Sequence, residues 1–137
     1  MKSIRIALVF AFVALAAVPT FAQSTTINVP FSFDYGKQHF AAGIYTVSMQ
    51  NKDILTLTGS NSRVAWGLIQ SSYDPTSHEQ GSVIFHQYGD RYFLTAFSPA
   101  HASLYVSAFE SDNERRVLRD FTTQNLTRRE VQLASLR

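Results

Sequence analysis

Cysteine is absent from the 137-residue chain. That excludes a disulfide-stapled scaffold, a zinc-finger site, a cysteine nucleophile and a lipid anchor on an N-terminal cysteine. Charge is scarce at 16% of residues, against about a quarter in ordinary globular chains. Aromatic residues, in contrast, make up 13%, a content that excludes an intrinsically disordered chain and a coiled coil. Neither a Gly-x-Ser-x-Gly elbow nor a glycine cluster occurs, which disfavours serine hydrolases and phosphate-loop enzymes.

The one long apolar run lies at the N-terminus. Lys2 and Arg5 precede uncharged Ile6 to Val18, and Pro19 to Ala22 adds a helix break and small residues. This order predicts a secretory signal peptide over 1–22, cleaved after Ala22, and an exported protein of the periplasm or extracellular space. A membrane-spanning helix would need about 20 apolar residues. Losing the segment removes two of the 12 Lys+Arg and none of the 10 Asp+Glu, so the mature chain is nearly neutral. The case for nucleic acid or anionic lipid as a partner goes with it. No second run reaches spanning length, and the remaining chain is too short for an eight-stranded outer-membrane barrel.

The mature part reads as strands. Thr26 to Phe33 alternates, with Ile27, Val29, Phe31 and Phe33 on one face, and Pro30 marks it as an edge or interrupted strand. A turn at Asp34-Tyr35-Gly36-Lys37, a strand Ile44 to Gln50, a turn at Asn51-Lys52-Asp53 and a strand Ile54 to Thr58 follow. In Ser62 to Gln70, Val64, Trp66 and Leu68 share one face, and polar Ser71 to Gly81 is the longest loop. Gly89-Asp90 between two aromatic runs predicts a type II′ hairpin that pairs Tyr88 with Arg91, Gln87 with Tyr92, His86 with Phe93 and Phe85 with Leu94. Val83, Phe85, Tyr92, Leu94 and Ala96 then share one face, with Ile84, His86, Phe93 and Phe97 on the other. A hairpin apolar on both faces needs a second layer on each. After a strand around Leu104 to Ala108, Ser111-Asp112-Asn113-Glu114 is a capping box opening a helix, and Thr127-Arg128-Arg129-Glu130 repeats the signature. The expected architecture is all-β with a C-terminal helical segment. It is an antiparallel β-sandwich or flattened barrel of about seven strands over 23–110, with helix over 111–137 packed on or beside it.

Three blocks carry a resemblance: Val29-Pro30-Phe31-Ser32-Phe33, Ala42-Gly43-Ile44-Tyr45-Thr46-Val47, and Phe85-His86-Gln87-Tyr88-Gly89-Asp90-Arg91-Tyr92-Phe93-Leu94. The chain resembles small secreted bacterial proteins of unassigned function over most of its mature length. The likeness weakens after Ser98, where such proteins usually carry a tryptophan and this one has Phe97. The resemblance implies a secreted β-rich domain and brings no catalytic residue, cofactor or metal ligand with it. Ala-Gly-x-Tyr-x-Val taken alone also looks like the strand entry of Ig-like and transthyretin-like sandwiches.

Candidate sites are few. His39, His78, His86 and His101 lack the i, i+4 spacing of a helical zinc site. His86 with Tyr88, Asp90 and Arg91 at one hairpin tip could place a carboxylate beside a base. Turn chemistry at Gly89-Asp90 and an aromatic pair at His86 explain the same residues more simply. The arginines at 115, 116, 119, 128 and 129 interleave with acids, as on a solvated helix face. Surface aromatics such as Tyr35, Tyr73, Trp66 and Tyr105 could stack on sugars, although core burial is the commoner fate of a lone strand tryptophan. The sequence therefore predicts a non-catalytic domain that works by binding or assembly at the cell envelope, with a second copy or an envelope protein as partner. A carbohydrate-binding module is the alternative, and a hydrolase or metal-dependent enzyme using His86 and Asp90 comes third.

Overall fold

The computed structural model describes residues 23–136, so the predicted signal peptide lies outside the described residues. Within them the chain forms ten strands and one helix, more strands than the sequence suggests. β1 (Ser24–Val29), β4 (Gly43–Asn51), β5 (Ile54–Gly59) and β6 (Val64–Tyr73) pair antiparallel in that order. β1 pairs only with β4, and Pro30 follows its last residue, the edge placement its missing N–H demands. β2 (Phe33–Tyr35) and β3 (Gln38–Phe40) are a short hairpin around Gly36, formed where the sequence shows a strand end and a loose turn. Gly36 has φ +61, the left-handed region that glycine enters at no steric cost.

β6 changes partner halfway. Its first half pairs with β5, and from Ile69 onward it pairs with β9 (Leu104–Ala108). β9 continues to β8 (Arg91–Ser98), which pairs with β7 (Ser82–Tyr88) and, at one position, in parallel with β2. The sheet stays open. No ladder joins its two ends, so the flattened barrel is not formed, and the ends meet through one hydrogen bond from Leu136 N–H to Thr26 O at 2.7 Å. β6 also takes up Ser71 to Tyr73, which shortens the long polar loop to 74–81.

The hairpin β7–β8 has the register read from Gly89-Asp90: Tyr88 opposite Arg91, His86 opposite Phe93, Phe85 opposite Leu94. Gly89 has φ +63 while Asp90 is not among the positive-φ residues, as a II′ turn requires. Two assignments change. A bulge at Thr95 pairs Val83 with Phe97 and Ile84 with Ala96, so Phe97 belongs to the Phe85 face and Ala96 to that of His86. The second layer on the His86 face is α1 (Asp112–Thr123), whose Val117, Leu118 and Phe121 pack on Tyr88 and Phe93.

The second helical segment is a correction. Arg129–Ala134 is β10, antiparallel to β7, with Val131 and Leu133 against the core and Glu130 and Gln132 alternating with them. A strand at this position covers the outer edge of β7, a long-range demand that outweighs the local capping signal.

The main core joins Val47 and Leu57 of one half of the sheet to Phe85, Phe97 and Val106 of the other. Tyr35 reaches across it, donating its hydroxyl to Leu55 O at 3.1 Å. Gly67 makes room, since a Cβ there would stand 2.7 Å from that hydroxyl. Burial raises the Tyr35 pKa above the ordinary value for a phenol. The fold thus holds the protonated form more tightly than the unfolded chain does. This contribution is complete below about pH 10, the unfolded value, and is lost as pH rises beyond it. Tyr35→Phe is therefore expected to lower stability by about 0.5–1.5 kcal/mol at neutral pH and to flatten the alkaline fall in urea-unfolding titrations. Parallel alkaline curves for the two proteins would refute this role.

Candidate functional site

His86 leaves β7 on the face covered by α1, with its side chain 12% exposed. Its Nδ1–H donates to Glu114 Oε1 at 2.7 Å, and the same oxygen accepts from the Tyr88 hydroxyl at 2.9 Å. Glu114 is the third residue of α1, and its backbone N–H bonds the Ser111 hydroxyl as the capping signature predicts. Its carboxylate, however, turns to the hairpin. With its side chain 4% exposed, it anchors the helix start to the sheet. The other ring nitrogen of His86 faces Glu130 Oε1 at 3.8 Å, and Glu110 holds Arg128 at 3.1 Å. His86, Glu110 and Glu114 bring one ligand atom each within 4.8 Å of one another, a donor set that could hold a metal ion. Burial, with the Glu114 charge adding to it and Arg128 opposing, pushes the Tyr88 pKa up to about 12.

The tip residues part company. Asp90 is not the partner of His86; Glu114 is. Arg91 instead donates to Asp34 Oδ2 at 3.1 Å, while His39 holds Asp34 Oδ1 at 2.7 Å. Asp90 lines the same small cleft as Arg91, along with Lys37 and Tyr92. Arg115 pairs with Asp112 one helical turn away, as on a solvated helix face, but Arg128 and Arg129 lie beyond the helix, in the linker and in β10, and Arg128 pairs with Glu110 instead.

A second candidate is a surface. Ile27, Val47, Leu57 and Ala65 point into the core, so alternate residues of β1, β4, β5 and β6 point away from it. Thr26, Thr46, Thr58 and Val64 form one row across the four strands, and Ser24, Ser48 and Trp66 stand in the next, where Thr56 is buried between its neighbours. Thr26 and Thr46 share a hydroxyl hydrogen bond at 3.1 Å. No Asp, Glu, Lys or Arg occupies an outward position of these strands. Trp66 stands 69% exposed between Val64 and Leu68, both also exposed, so it is not the core tryptophan that base rates favour. Tyr73 is exposed too, but it has the opposite parity on β6 and sits beyond the switch to β9. The two aromatics therefore do not form one platform.

Glu110, Glu114 and Arg128 were not legible as site residues. The capping box locates Glu114 on the helix, but nothing in one-dimensional spacing ties it to a histidine 28 residues away. Comparison with known proteins adds nothing to this geometry: no family model matches the chain, and no curated protein or solved structure matches it either.

Proposed function

We propose that the protein is an exported, non-catalytic domain that works by binding at the cell envelope, and that its binding face is the uncharged outward surface of β1, β4, β5 and β6. The observation that carries this is the exposed indole of Trp66 set in rows of threonine and serine hydroxyls without a formal charge. A neutral polysaccharide is the ligand class that matches. Its apolar C–H faces stack on an aromatic ring, and its hydroxyls pair with hydroxyl and amide side chains. Exposed apolar groups of this kind mark interaction sites more often than plain solvent surface. The core shared between the halves of the sheet supports reading the fold as two facing layers, a sandwich whose outer face is left for the ligand.

The experiment is co-sedimentation with a panel of insoluble neutral polysaccharides. Retention is expected for the wild type, with a loss of about tenfold or more in affinity for Trp66→Ala, the size of a strong stacking contact. Tyr73→Ala should bind like the wild type. A panel without retention, together with concentration-dependent dimerisation abolished by Trp66→Ala, would overturn the glycan reading and make this face an interface between copies.

A further inference from the structure

We propose that His86, Glu114 and Glu110 form a binding site for one divalent transition-metal ion of the zinc class. The three residues come from β7, from the third position of α1 and from the segment just before its cap, so the packing of helix on hairpin assembles the site. One imidazole nitrogen with two carboxylate oxygens is a donor set for zinc, cobalt or nickel. Calcium and magnesium prefer oxygen alone.

Distance and charge both fit. Bonds of about 2.0–2.2 Å to the ion place ligand atoms of one coordination sphere within reach of the 4.8 Å limit found here. The ion takes the position between His86 Nδ1 and Glu114 Oε1, now joined at 2.7 Å, with the ring proton held on Nε2 toward Glu130 so that Nδ1 offers its lone pair, and only a small separation of the two atoms is required. Glu110 closes the third side, and being exposed in a loop it is able to move. Three carboxylates gather around His86, with Glu114 and Glu130 at its two nitrogens and Glu110 beside Arg128. Arg128 pairs with Glu110, and Arg115 and Arg116 line the cleft beside it. Arg128 lies in the linker between α1 and β10 with its side chain 39% exposed, so it can turn to solvent when an ion takes over Glu110. The Tyr88 hydroxyl on Glu114 then acts from outside the ligand set, orienting the buried carboxylate.

The test is isothermal titration of the purified protein with zinc chloride at neutral pH, with calcium chloride as comparison. One zinc ion per chain and no calcium binding are expected, with a matching rise in thermal stability. Glu110→Gln removes only an exposed pair with Arg128 and should fold normally, yet weaken zinc binding about tenfold or more. His86→Gln should abolish binding, and His39→Gln, at an exposed position three strands along the same row, should leave it unchanged. Absence of binding up to about millimolar zinc would overturn the proposal, as would equal affinity in Glu110→Gln and the wild type.

Discussion

Phe85→Ala is expected to cost about 3–5 kcal/mol, the range for deleting a fully buried phenylalanine. The ring has no exposed surface. It meets Phe31 edge-on at 5.3 Å and Phe33 at 5.2 Å, so it links the β1–β2 connection and β2 to the central hairpin. Small domains are stable by only about 5–15 kcal/mol, and this one change removes a large share. A fall of more than about 10 °C in Tm should follow, with a lower urea midpoint and an unchanged m-value. A loss below about 1 kcal/mol would show that the surrounding rings collapse into the space.

Glu114→Ala should have the next largest effect, about 3 kcal/mol or more, because breaking a buried polar pair strands its partners. His86 Nδ1–H and the Tyr88 hydroxyl would both lose their acceptor in a site nearly closed to water. The helix cap itself would survive, since Ser111 accepts from the backbone of residue 114. The damage should therefore appear as detachment of α1 from the hairpin, seen as faster hydrogen exchange through α1, and not as loss of the whole sheet. Replacing the cluster together, as His86→Phe, Tyr88→Phe and Glu114→Leu, should recover much of the stability, because no polar group is then left unpaired. A single variant within about 0.5 kcal/mol of the wild type would mean that water replaces the carboxylate.

The central hairpin was legible because its register depends on two adjacent residues, Gly89 and Asp90, whose chemistry dictates the turn. The bulge at Thr95 was not legible, since an extra residue leaves local alternation intact and only shifts which face follows. Thr127 to Glu130 carries a genuine helix-start pattern, and the open edge of β7 decided otherwise. The outward parity of Val64, Trp66 and Leu68 could be read from alternation. That their side of the sheet is the uncovered one depends on packing between distant strands.

Binding at the outward face can be read directly, because the chain contains a single tryptophan, which makes its fluorescence a reporter of that face alone. Titration with soluble oligosaccharides of a neutral glycan is the most direct measurement. A saturable blue shift of Trp66 emission is expected as a sugar ring stacks on the exposed indole. Emission unchanged by every neutral glycan would contradict binding at this face.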